Sequence, residues 1–175
     1  LHDYYCALRR VMDSYEGDRM AVIETGASPE EVALLVRSDE MHLAFDLELS
    51  RAPWRAGALR EAIEEGFTVS RLAGAPATWV IENHDIPRAV TRYGTDLALE
   101  GEYVPDVSQA GGADLALGTR RARAAAVLLC ALPGAVYLYQ GQELALPEVT
   151  DLPDELREDP AFLRSGGITP GRDGC

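Results

Sequence analysis

A chain of 175 residues, 47% of them apolar, suits one domain of ordinary size and can bury a real core, which excludes a disordered tail. Its formal net charge of −13 argues against nucleic acid and against an anionic membrane surface as partners, because either would repel it. The acids fall in several clusters rather than a single run, as on a solvated surface, and no stretch is long and apolar enough to span a bilayer.

Leu1, Tyr4, Leu8, Val11, Met12 and Tyr15 recur at helical spacing and predict an amphipathic helix over residues 1–16, ended at Gly17. Residues 20–23 are a short apolar run that delivers Glu24 at its carboxyl end. Ser28-Pro29-Glu30-Glu31 carries a cap, a Pro at the first helical position and a Glu three after the cap, so a helix is expected from there to about residue 37. HLAFDLEL at 42–49 alternates, with Leu43, Phe45, Leu47 and Leu49 on one face, and predicts a strand. A helical stretch with Trp54, Ala58, Leu59, Ala62 and Ile63 follows Pro53 and is expected to stop at Gly66.

Residues 77–81 read as a strand buried on both faces, residues 86–93 as a short helix closed by Gly94, and 94–113 as a long loop. A helix rich in Ala, Leu and Arg is expected over 114–132, broken by Pro133-Gly134, then a strand at 135–139 ending in Gln140-Gly141-Gln142-Glu143. After Pro147 the chain turns acidic and Pro-rich and reads as irregular. Four short strands alternating with helices call for a parallel α/β sheet with right-handed crossovers. Such a sheet could be half of an eight-stranded barrel, which as a whole needs about 250 residues, or an open sheet of four strands. An open sheet would lack the usual phosphate loop, since neither GxGxxG nor GxxxxGK[ST] occurs, and nucleotide binding is disfavoured.

The three cysteines, Cys6, Cys130 and Cys175, are odd in number and lack metal-site spacing; Cys130, within AVLLCAL, is expected to be buried, and a reduced, cytoplasmic compartment fits. The chain opens without Met and closes on GRDGC without a terminating pattern, so it reads as a piece of a longer protein in which a missing targeting signal says little.

The chemistry-bearing stretch is TWVIENHDIPR at 78–88, an apolar run followed at once by Glu82-Asn83-His84-Asp85. Parallel α/β sheets and barrels keep their chemistry at the carboxyl ends of strands, where a His-Asp pair can hold a charge and donate hydrogen bonds to a ligand. The alternative is a turn in which Asn83 and Asp85 bond their own backbone. Glu24, at another strand end, could donate a proton, or could merely cap a helix or join an ion pair. In a barrel Glu24 and Asp85 would face one cavity, and two carboxylates flanking one bond are what glycoside hydrolysis uses. Arg88 and Arg92 could hold Asp85 ionised or bind substrate, or form a solvated helix face. Glu24, His84 and Asp85 could also ligate a metal, although only His2 and His42 remain as further histidines and no HExxH occurs.

AVIE (21–24), FDLEL (45–49), VIENHDIPRAVTRYG (80–94) and LPGAVYLYQGQELALPE (132–148) resemble, in order and spacing, successive blocks of the α-amylase superfamily, glycoside hydrolase family 13, in its α-glucosidase and oligo-1,6-glucosidase branch. The resemblance implies a partial (β/α)8 barrel, about strands five to eight. Residues 1–148 would then form the C-terminal half of the catalytic barrel and 149–175 an irregular segment after the last strand. It implies a retaining enzyme acting on α-linked gluco-oligosaccharides or disaccharides, with no cofactor and no metal ligand in this chain. Glu24 matches the general acid/base, Asp85 the carboxylate that stabilises the transition state, and His84 the histidine that hydrogen-bonds the first sugar; Arg88 and Arg92 follow as substrate-binding candidates. The nucleophilic Asp of strand four matches nothing here, so the chain by itself is expected to be inactive. Thr25-Gly26 departs from the Ala or Met usual after the acid/base, and Glu143 fits a structural strand-end carboxylate. A transglycosylase or isomerase of the same family (trehalose synthase or sucrose isomerase type) and a non-catalytic amylase-like domain are the alternatives.

Overall fold

The computed structural model describes residues 1–95, 112–169 and 171–175; the loop expected over 94–113 lies for the most part outside them. Strand and helix alternate through most of its length. β1 (Val22–Ile23) runs parallel to β2 (Leu43–Ala44), and β3 (Thr78–Trp79) runs parallel to β4 (Ala135–Val136). A single parallel bridge, Asp46 to Trp79, joins the two pairs, so the strands lie side by side in chain order. Thr78 reinforces that seam: its hydroxyl donates to Ala44 O and accepts from Asp46 N at 3.2 Å.

The crossovers are helical. Ahead of β1 stands α1 (His2–Asp13), held by His2 Nδ1 at 2.8 Å from Glu40 Oε1 and by Arg9 Nη1 donating to Glu40 O. Between β1 and β2 lies α2 (Pro29–Leu35), which opens with the expected capping box, Ser28 and Glu31 each bonding the other's backbone N–H. β2 is followed by a single helical turn, α3 (Glu48–Arg51), and the long α4 (Ala56–Ala73). α5 (Ala89–Tyr93) and α6 (Leu115–Ala131) lead from β3 to β4, and Asp114 caps α6 through Leu117 N at 2.9 Å. The core gathers on the sheet where Trp79, fully buried, meets Phe67 edge-on at 5.3 Å and donates its indole N–H to Pro133 O at 2.9 Å. Leu49, Ala62, Ile81, Tyr93 and Leu129 are among the buried residues packed with it.

Several local expectations give way to tertiary structure. The strand read over 42–49 is paired only at Leu43–Ala44 and the Asp46 bridge, because Asp46 Oδ1 takes Glu48 N at 3.0 Å and turns the chain into α3. Helix α4 passes straight through Gly66 and ends at Gly74, which takes the left-handed conformation (φ 67°). Cys130 is exposed, not buried, because helix α6 turns that face outward. Residues 149–175 are less irregular than expected: they hold a 3-10 turn, Asp154–Leu156, and a short helix, α7 (Pro160–Ser165), capped by Asp159 through Ala161 N at 2.6 Å. Among the described residues no helix is long and apolar enough to cross a membrane.

Candidate active site

Parallel strands in chain order bring their carboxyl ends to one side, and the polar residues of the sequence collect there. Glu24 follows β1 directly; Asn83, His84 and Asp85 follow β3, two strands away. One carboxylate oxygen of Glu24, one ring nitrogen of His84 and one carboxylate oxygen of Asp85 lie within 4.8 Å of one another. His84 Nε2 stands 3.5 Å from Asp85 Oδ2, with both side chains about two-thirds exposed (62% and 66%). Asn83 joins the two strand ends, its Nδ2 donating to Glu24 Oε1 at 3.4 Å.

The turn that presents His84 and Asp85 is held from behind. Asn83 Oδ1 accepts from Asp85 N at 2.9 Å and from Ile86 N at 2.8 Å, an Asx turn of the kind the sequence offers as an alternative to a site. Turn and cluster coexist: the amide side chain shapes the backbone while the next two side chains face solvent. Glu82, buried beneath, accepts from Ala89 N and so caps α5. Burial pushes its carboxyl upward, against the pull of the Ala89 N–H and of Arg88 and Arg92.

Arg88 and Arg92 sit under the turn rather than in the cluster. Arg88 is only 6% exposed, which excludes a solvated face, and precedes α5 rather than sharing a helical face with Arg92. Its Nη1 donates to Gln140 O at 2.8 Å and its guanidinium lies over Tyr139. Arg92 Nη2 donates to Ile81 O at 2.8 Å, over the ring of Tyr93. Glu143, in the 3-10 turn Gln142–Leu144 after β4, is exposed. Two residues that sequence reasoning passed over also act on the turn: Arg172 donates from Nε to His84 O at 3.0 Å and from Nη2 to Ile86 O at 3.2 Å, and pairs with Glu148. No local signal marks Arg172, since its partner lies 88 residues away.

Two carboxylates and an imidazole converging from separate strands can place a proton and a negative charge on either side of one bond. The same oxygen, nitrogen and oxygen could instead close on a divalent cation, which three exposed side chains do not by themselves specify.

The chain is similar to known proteins over most of its length. Residues 1–165 match the family model described as alpha amylase, catalytic domain. The chain is 31% identical over 163 residues to an α-glucosidase of Candida albicans, covering 85% of this chain and 25% of that protein. It is 32% identical over 172 residues to a probable α-glucosidase of Rhizobium meliloti, covering 95% and 27% respectively. The crystal structure of an α-glucosyl transfer enzyme, XgtA, superposes with a TM-score of 0.71 at 29% identity, covering 99% of this chain and 29% of that one. The chain thus spans about a quarter of the length of the curated relatives it matches.

Proposed function

We propose, on the premise that this chain belongs to the α-amylase catalytic-domain family, that it is the C-terminal half of the catalytic barrel of a retaining α-glucosidase. In this reading β1 to β4 are strands five to eight, and the substrate is a short α-linked gluco-oligosaccharide or disaccharide. The observation that carries it is the approach of Glu24 and Asp85, from strand ends two strands apart, to within 4.8 Å of a shared imidazole.

Glu24 gives its proton to the glycosidic oxygen as the bond to the anomeric carbon breaks, and the sugar is taken up by an Asp nucleophile contributed by the rest of the barrel. Glu24, now a carboxylate, removes a proton from water, which attacks the same carbon and releases the sugar. Asp85 supports the positive charge of the oxocarbenium-like transition state and holds sugar hydroxyls; His84 hydrogen-bonds the same sugar. For a retaining enzyme the nucleophile belongs about 5–5.5 Å from Glu24.

In the full-length protein Glu24→Gln removes the transferable proton at constant shape, and hydrolysis of an aryl α-glucoside is expected to fall by about 10²–10⁴-fold. Near-normal turnover by that variant would end the assignment. The likeness to an α-glucosyl transfer enzyme favours a second reading, in which an acceptor sugar takes the place of water at Glu24. Product analysis with maltose and sucrose separates the two. A hydrolase releases two glucoses per maltose, or glucose and fructose in equal amounts from sucrose, with no new oligosaccharide. A transferase releases only the leaving sugar (glucose from maltose, fructose from sucrose) and puts the transferred glucosyl group into new disaccharides or longer oligosaccharides.

A further inference from the structure

The turn bearing His84 and Asp85 is fastened to a part of the chain that no strand carries. Arg172 reaches it from the closing segment and uses three edges of its planar guanidinium at once. Nε and Nη2 donate to the carbonyls of His84 (3.0 Å) and Ile86 (3.2 Å), on either side of Asp85, while Nη1 pairs with Glu148 Oε1. Glu148, whose side chain is 6% exposed, uses its other oxygen to accept from Arg88 N at 3.0 Å, and its own N–H donates to Thr91 Oγ1 at 2.8 Å. Arg172 is itself anchored, its N–H donating to Asp159 Oδ2 at 2.9 Å, and Val149 N donates to Gly174 O at 2.8 Å.

We propose that Arg172, together with Glu148, is a positioning residue: it fixes the backbone on both sides of Asp85, so that the Asp85 carboxylate and the His84 ring stand against Glu24 before substrate arrives. The proposal rests on the α-glucosidase reading above. Two exposed side chains on a surface turn would otherwise sample many orientations, and a displacement of about 1 Å in such a group can cost about 10²-fold in rate. Lysine at this position keeps the charge that Glu148 needs but, as a single ammonium on a flexible stem, cannot bridge two carbonyls and a carboxylate together.

The test is made in the full-length protein with an aryl α-glucoside. Arg172→Lys is expected to lower kcat by about tenfold to hundredfold with KM within about twofold, since what is lost is orientation at the transition state. Its melting temperature stays close to wild type. Arg172→Ala loses more, and millimolar guanidinium restores part of its kcat where equal ammonium does not. Wild-type kcat in Arg172→Lys overturns the proposal, as does a loss in both variants that follows melting temperature and ignores guanidinium. Glu24→Gln measured alongside separates the two levels. Its collapse together with an unaffected Arg172→Lys refutes the positioning role alone, whereas full turnover in Glu24→Gln refutes the α-glucosidase reading and this proposal with it.

Discussion

Asp46 sits at the seam of the sheet with its two oxygens in different circumstances. Oδ1 accepts the Glu48 N–H at 3.0 Å, while Oδ2 is buried against the helix at Gly66 with no hydrogen-bond partner among the described residues. Burial pushes the carboxyl up from 3.8 to about 6, helped by the charges of Glu48 and Glu65 and opposed by the N–H groups of Glu48 and Leu49. Because the folded-state value is the higher one, this group's contribution to stability is fully present below 3.8 and is lost as pH rises through about 6. The loss is at most about 3 kcal/mol, at about 1.4 kcal/mol per pH unit, and less to the extent that water reaches Oδ1. Asp46→Asn removes the titration, so the melting temperature of the variant relative to wild type should climb between about pH 4 and about pH 8. A difference that stays flat over that range rules Asp46 out as the source. Glu82, also raised by burial, adds a contribution of the same sign, while Asp159 is held low by the N–H groups of Arg172 and Ala161 and acts oppositely. Nothing in FDLEL distinguishes Asp46 from an outward-facing strand acid, since its burial comes from Trp79 and α4, elements distant in sequence.

At the scale of elements, what is legible from the chain is what is decided locally. The capping box at Ser28 stands where the sequence puts it, because its donors and acceptors lie three residues apart, and the helix expected from residue 114 starts there, on the equally local Asp114 cap that the structure adds. Gly66 shows the opposite case. By local rules it should end a helix, yet it lies inside α4 because a Cβ there would strike Asp46 Oδ2 and come within 2.8 Å of the Trp79 ring. The helix tolerates a residue worth about 1 kcal/mol less than alanine so that the sheet and its Trp can approach. Gly57, in the same helix, has nothing within 4 Å of such a Cβ. Gly66→Ala should therefore destabilise by about 1–3 kcal/mol through overpacking, whereas Gly57→Ala should stabilise by about 0.4–1 kcal/mol. Urea denaturation of the two variants compares them, and equal stabilities would remove the close approach as the reason for Gly66. The site is divided in the same way. The convergence of Glu24, His84 and Asp85 can be read from strand-end position, but the hold of Arg172 on the turn that bears His84 and Asp85 is a contact across 88 residues that no periodicity announces.

Taken whole, the molecule leaves apolar surface that none of its described elements covers. Helix α1 has the spacing of an amphipathic helix yet buries none of its residues, with Tyr4 68% and Val11 56% exposed. A helix of this length draws most of its stability from packing its apolar face, so that face calls for another surface. At the other end of the sheet, Val136 on β4 and Leu138 and Leu144 beyond it are exposed as well. Among the described residues β1 and β4 each pair along one edge only, leaving two rows of backbone donors and acceptors open. In the proposed barrel the remaining half covers both edges and the inner face; alone, the 175 residues can cover them only by meeting one another. Light scattering on the isolated chain should therefore give a mass above that of the monomer that grows with concentration, and the preparation should release no product from an aryl α-glucoside. A concentration-independent monomer with a cooperative thermal transition would contradict the open-edge argument, and turnover by that monomer would contradict the placement of the nucleophile elsewhere. Adding the remainder of the protein as a separate chain separates the two causes of inactivity. If the edges are what is missing, association between copies gives way to a defined one-to-one complex; if the nucleophile is also supplied, that complex hydrolyses the glucoside.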